Sequence, residues 1–159
     1  MEIKCKYSKL AKVEELIVTG RNPNIHNDKQ IQLLAKILKH QGWRNPIVMS
    51  KQSGFIVAGH ARLEAAKING WTEVPIDIQD FENEADEYAH MVADNKIAEL
   101  ADMDLSMVNE DFVNFGPDFN IDLLGIPNFK IDLSEKEIKE KEIDELETKN
   151  CCPSCGYEW

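Results

Sequence analysis

Gly54-Phe55-Ile56-Val57-Ala58-Gly59-His60-Ala61-Arg62-Leu63-Glu64-Ala65-Ala66-Lys67-Ile68-Asn69-Gly70 reads as a short buried strand, a sharp turn and a helix. Phe55, Ile56 and Val57 are β-forming residues with no polar interruption, the pattern of a strand covered on both faces. Gly59 admits a backbone angle or a close approach that a side chain would block. From His60 the apolar spacing turns helical, and Gly70 supplies a C-terminal stop. A strand that enters a helix through glycine leaves free N–H groups and the positive end of the helix dipole at the joint, which suits an anion. Arg62, in the first helical turn, can fork onto the same anion. Such joints also occur throughout α/β proteins without any ligand. Spacing alone therefore leaves two readings open: a phosphate site, or a structural joint with a solvated arginine.

Working outward, Ile47-Val48-Met49 reads as a strand, and Ser50 to Gly54 as the turn that folds it back onto Phe55-Ile56-Val57. Asn27 suits a helix N-cap, with Gln30 three residues on. Ile31, Leu34, Ala35 and Leu38 then form one apolar face of an amphipathic helix that ends near Gln41-Gly42. Residues 3–18 read as a strand, a turn from Ser8 to Glu15, and the apolar Leu16-Ile17-Val18; the stretch 20–24 is turn-rich. On the other side, residues 74–78 read as a strand in which Pro75 marks an edge or a strand start. Asn83 caps a helix running to about Ala98, with Tyr88, Met91 and Val92 as its inward stripe. Asn95 falls on that stripe, where it needs either backbone or ligand partners. Residues 104–115 read as a further helix stopped by Gly116-Pro117, and residues 118–125 as a compact segment docked on the core.

The 159 residues carry a net charge of −11, unevenly spread. Residues 1–80 are net +4 and residues 81–159 net −15. Phosphate neutralisation dominates non-specific nucleic-acid affinity, so a polyanion is expected to meet the first half. The length suits one globular domain plus a tail. The start, Met1 to Lys6, lacks a long apolar region, and no stretch approaches membrane-spanning length. The expectation is a cytoplasmic protein with no membrane contact and with thiols that are reduced or metal-bound.

From Lys130 the composition shifts. Residues 134–149 are rich in Glu and Lys, with Ile138, Ile143 and Leu146 as apolar anchors, and read as an acidic helical tail. The ending Cys151-Cys152-Pro153-Ser154-Cys155-Gly156 is half of a zinc knuckle. Cys152 and Cys155 supply two of the four ligands zinc requires. Cys5, a histidine or a second copy of the chain would have to complete the set; otherwise these are free thiols.

Four segments taken together carry a resemblance. The runs Asn45-Pro46-Ile47-Val48, then Ile56 through Ala66, then Val74-Pro75-Ile76, then Ala93-Asp94-Asn95-Lys96 are similar in order and spacing to the ParB/sulfiredoxin-like N-terminal domain. The variant they resemble is that of phage and prophage proteins, often fused to DNA methyltransferases. The resemblance covers roughly residues 3–125. It implies an α+β fold: a small mixed β-sheet flanked by helices, here followed by the helical acidic tail. The implied division is a nucleotide-binding domain over 1–126, an acidic linker or tail over 127–149, and the half knuckle over 150–159.

The family binds a nucleoside triphosphate, CTP in the chromosome-segregation branch and ATP in the sulfiredoxin branch. Gly59-His60-Ala61-Arg62 matches the Gly-Glu-Arg-Arg phosphate segment at its first and last positions. Asp94-Asn95-Lys96 resembles a Glu-Asn segment that holds phosphate and Mg²⁺. Asn22-Pro23-Asn24 resembles an Asn-Pro-Arg segment near the nucleotide, with Asn24 in place of the arginine. The resemblance thus implies phosphate contacts from Gly59, His60, Ala61, Arg62, Asn22, Asn95 and Lys96, and Mg²⁺ contacts from Glu64 and Asp94.

His60 stands where sulfiredoxin has its nucleophilic cysteine, so that chemistry is not expected. Nothing after residue 100 reads as a basic recognition helix, so a complete partition protein is not expected either. Three functions follow: a nucleotide-binding module in phage or prophage DNA metabolism, tied to DNA modification; an NTPase or nuclease using His60 as general base; or an acidic adaptor or DNA mimic. Expected partners are the nucleotide, DNA through the first half, a DNA methyltransferase or other phage protein, and a second copy as a homodimer.

Overall fold

The computed structural model describes residues 1–115, 120–126 and 129–131. Among these described residues, five strands run in the order β1 (Lys9–Lys12), β2 (Ile17–Val18), β3 (Ile47–Ser50), β4 (Phe55–Ala58) and β5 (Glu73–Gln79). The helices are α1 (Asp28–Gln41), α2 (His60–Ile68), α3 (Glu84–Ala98) and α4 (Leu105–Phe115). The strands form one mixed sheet ordered β1-β5-β3-β4-β2. β3 and β4 pair antiparallel as the hairpin expected from the Ser50–Gly54 turn, while β3 with β5 and β4 with β2 are parallel. The α+β class with a small mixed sheet is thus present.

The core lies where α1 and α2 meet the sheet. Ile31, Ala35 and Leu38 of α1 pack with Leu63, Ala65 and Ala66 of α2, with Ile47, Ile56, Val74 and Ile76 from three strands, and with Trp43. Burying each large aliphatic side chain contributes about 1.5–3 kcal/mol. Asn69 Nδ2 donates to the Ala35 carbonyl at 2.9 Å and ties the end of α2 to α1. Asn27 caps α1 by accepting from the Gln30 N–H at 2.9 Å, and Asn83 caps α3 in the same way through Asp86. Side chains alternate across a strand. Ile56 joins this core, whereas Phe55 faces α3, which packs along β4.

The structure corrects the sequence reading in three places and, at Pro75, chooses between its two alternatives. The first strand is Lys9–Lys12, within the stretch read as a turn; Ile3 makes only an isolated bridge to Trp43. β1 is an edge strand whose lysines face water, so it lacks the apolar signal of a buried strand. Phe55 is 37% exposed, so β4 is covered on both faces only from Ile56 onward. β5 lies between β1 and β3, so Pro75 is not at an edge; it sits near the strand start, before pairing with β3 begins at Ile76. Among the described side chains of α3, Glu87 and Met91 are buried, while Tyr88 is 43% exposed.

The segment read as docked on the core does so through a 3₁₀ turn, Ile121–Leu124, which lies against α1. The expected stop at Gly116-Pro117, nearly all of the acidic tail, and Cys152 and Cys155 lie outside the described residues. Among the described residues no helix is long and apolar enough to cross a membrane.

Candidate functional site

The β3–β4 hairpin sets Val48 opposite Ala58, so the start of β3 and the end of β4 lie side by side. The chain then turns through Gly59, whose φ of +96° belongs to the left-handed region. A Cβ there would come within 3.3 Å of both the Ile47 Cα and the Arg62 guanidinium. Only glycine meets both demands without strain. Gly59 also offers no side-chain cap to α2. As at any helix start, the first amides of α2 have no acceptor within the helix, and the helix dipole makes this end positive.

Arg62 folds back over this joint. Its Nη1 donates to the main-chain carbonyl of Pro46. Burial works against the guanidinium charge, and Asp94 opposite favours it. The arginine is therefore held in place by one of its nitrogens, leaving the others for a ligand.

These groups border a cleft of about 330 Å³. Its walls are the C-terminal half of α1, the segment before β3, the Gly59 joint and the second half of α3. Of the residues singled out from sequence, Gly59, His60, Ala61, Arg62, Asp94 and Asn95 line it together. Asn95 Nδ2 donates to the Met91 carbonyl at 2.8 Å, so backbone satisfies its amide nitrogen.

His60 is 8% exposed, and its Nε2 is buried with no partner among the described residues. Burial, with His26 as a lesser cause, holds its pKa below the usual 6.5, so the ring is neutral at pH 7. A buried imidazole nitrogen without a partner is costly unless a ligand or water supplies one.

Three other candidates lie outside the lining. Glu64 is exposed and pairs with Lys67 at 2.7 Å, and Lys96 is exposed and pairs with Glu99 at 2.5 Å. Asn22 accepts from the Asn24 N–H at 3.1 Å within its own turn.

Sequence reasoning missed His26, Gln41, Arg44 and Asn45, which also line the cleft. Arg44-Asn45 had a usable signal. A basic-polar pair just before a buried strand, whose hairpin partner ends at the phosphate turn, must lie beside that turn.

The family model for the ParB N-terminal domain matches residues 6–102. The chain is 33% identical over 64 residues to the ParB-like nuclease domain-containing protein YnaK of Escherichia coli strain K12, an alignment that covers 40% of this chain and 72% of YnaK. The structure is similar to the C-terminally truncated chromosome-partitioning protein ParB of Caulobacter crescentus complexed with CTP-γ-S, at a TM-score of 0.56 and 21% identity. That match covers 66% of this chain and 60% of the ParB chain, so this chain spans under two thirds of the solved relative. The same ParB complexed to the centromeric parS site matches at a TM-score of 0.48 and 22% identity, over 62% of this chain and 51% of that one. With its sheet order, its glycine joint and the span of the family match, the chain belongs to the ParB N-terminal domain family.

Proposed function

We propose that the cleft binds a nucleoside triphosphate with Mg²⁺, and that CTP is its nucleotide. One observation carries the reading: Arg62 is anchored by the Pro46 carbonyl beside the uncapped start of α2, at a glycine where a Cβ would crowd the arginine. Backbone N–H groups and a fixed guanidinium converging on one concave space fit a polyphosphate. The cleft lies at the lower end of the usual volume range for ligand pockets, about 300–1,000 Å³. The residues fit the nucleotide in a second respect, since the orphaned His60 Nε2 would gain a partner.

Among the described residues no three His, Cys, Asp or Glu side chains gather as a metal site. Mg²⁺ would arrive with the phosphates, and Asp94, which lines the cleft, is the carboxylate we assign to it. The choice of CTP is supported by the CTP-γ-S complex of the solved relative.

The setting we propose is phage or prophage DNA metabolism, with a DNA methyltransferase as partner, as the sequence resemblance implies. A thermal-shift screen of the four nucleotides with Mg²⁺ tests the reading. A ligand that binds only the native state raises the melting temperature. CTP should raise it most; no shift with any nucleotide at millimolar concentration would remove the reading.

Hydrolysis is a second reading, supported by the neutral His60 ring with its unpartnered Nε2 and by the relative YnaK being a ParB-like nuclease domain-containing protein. A neutral imidazole beside a phosphate site is suited to take a proton from water. Phosphate release and DNA nicking, both lost in His60→Ala, would support it; neither activity in the wild type would exclude it.

A further inference from the structure

A second cleft, of about 350 Å³, lies between the first half of α3, the turn before β4 and the segment after β2, and shares no lining residue with the first. Glu87 lines it and is 7% exposed. One carboxylate oxygen accepts from Ser53 Oγ at 2.8 Å; the other, Oε2, is buried with no partner among the described residues. Two aromatic side chains, Phe55 at 37% exposure and Tyr88 at 43%, line the same space and remain accessible. Arg21 stands there too, already paired with Glu84.

Each feature narrows the ligand. A half-satisfied buried carboxylate is costly, because desolvation is offset on one oxygen only. The N-terminal turn of α3 favours its negative charge but does not complete its hydrogen bonding. An anionic ligand would meet Glu87 with Arg21 already engaged. A metal ion would need more ligands than the described residues gather here. A nitrogen cation answers these features together, placing N–H groups and positive charge beside the Glu87 carboxylate and the aromatic side chains that line the same space.

We propose that this second cleft binds an organic cation, an ammonium or guanidinium group, with Glu87 as its counter-ion and Tyr88 and Phe55 as its walls. The source is either a small amine or a basic side chain presented by a partner protein.

Titrations of the ¹⁵N-labelled chain, followed by NMR, test this with two probes: L-arginine amide as the free cation, and a short blocked peptide with one central arginine as the protein-borne one. Saturable shifts at the amides of Ser53, Phe55, Glu87 and Tyr88 are expected with at least one probe. Response to the amide, with or without the peptide, supports a small-amine source, and response to the peptide alone a protein source. Glu87→Gln keeps the size of the side chain and a hydrogen-bonding group toward Ser53, and should weaken binding at least about tenfold. Tyr88→Ala removes an accessible ring without opening the core, and should weaken it by a few fold. Lys39→Ala, at an exposed position that lines neither cleft, should leave it unchanged. No shifts with either probe, or equal binding by wild type and a folded Glu87→Gln variant, would overturn the proposal.

Discussion

The Arg62 guanidinium is fastened to the carbonyl oxygen of Pro46, sixteen residues earlier in the chain. This bond joins the first turn of α2 to the entry of β3 and fixes a cation at the mouth of the cleft. The residue thereby serves the fold and the ligand together. Arg62→Ala should lower stability by about 1.5–3 kcal/mol, the range for hydrogen bonds to charged groups, and abolish nucleotide binding. Arg62→Lys should keep part of the binding, because it retains charge but loses the planar fork. Denaturant melts and nucleotide titrations of both variants check this.

Gly59 and Gly54 form a matched pair. Both have positive φ, +96° and +74°, but a Cβ at Gly54 meets open space while one at Gly59 meets Arg62 and Ile47. Gly54→Ala should cost only the left-handed strain of about 1–2 kcal/mol. Gly59→Ala should cost more than that and displace the arginine. Urea unfolding of the two variants separates strain from crowding. Equal losses would contradict the close packing at the joint.

His60 predicts a pH dependence. Its folded pKa lies below 6.5 because burial disfavours the charged ring. As pH falls below about 6.5, the unfolded chain takes up a proton that the folded chain refuses, so stability falls toward acid. Above that range both states are neutral and the residue contributes no slope. Between pH 8 and pH 5.5 the wild type should lose more stability than His60→Gln, as read from unfolding midpoints at each pH.

Residues inside and outside the cleft should respond differently. Glu64→Ala and Lys96→Ala remove exposed side chains engaged in surface ion pairs, which are worth about 0–1 kcal/mol, and should leave nucleotide affinity within about twofold. Asn95→Ala and Asp94→Asn should weaken it clearly, the latter most when Mg²⁺ is present. Reversed results would move the site away from the cleft.

The fold was legible where local chemistry and tertiary environment agree. The Ser50–Gly54 turn, the Asn27 and Asn83 caps and the α1 apolar face each announce themselves within a few residues, and each is present. Gly59 was legible as well, because a glycine between a buried strand and a helix has few other reasons to be there. β1 was not legible. Its four residues, Lys-Leu-Ala-Lys, owe their strand form to pairing with β5, more than sixty residues away in sequence, and no local pattern reports that.

Glu87 was missed because a carboxylate on an apolar stripe looks like solvated surface until Ser53 is seen against it. Of the cleft lining, the turn residues could be read directly. The exclusion of Glu64 and Lys96 could not, since it depends on which face of α2 and α3 turns toward the cleft.

Calorimetric titration of the chain with CTP and Mg²⁺ is the sharpest check on whether the joint at Gly59 and Arg62 takes a triphosphate. A saturable one-to-one isotherm that disappears in a folded Arg62→Ala variant is expected. An isotherm unchanged by that substitution, or a featureless trace with every nucleoside triphosphate at millimolar concentration, would contradict it.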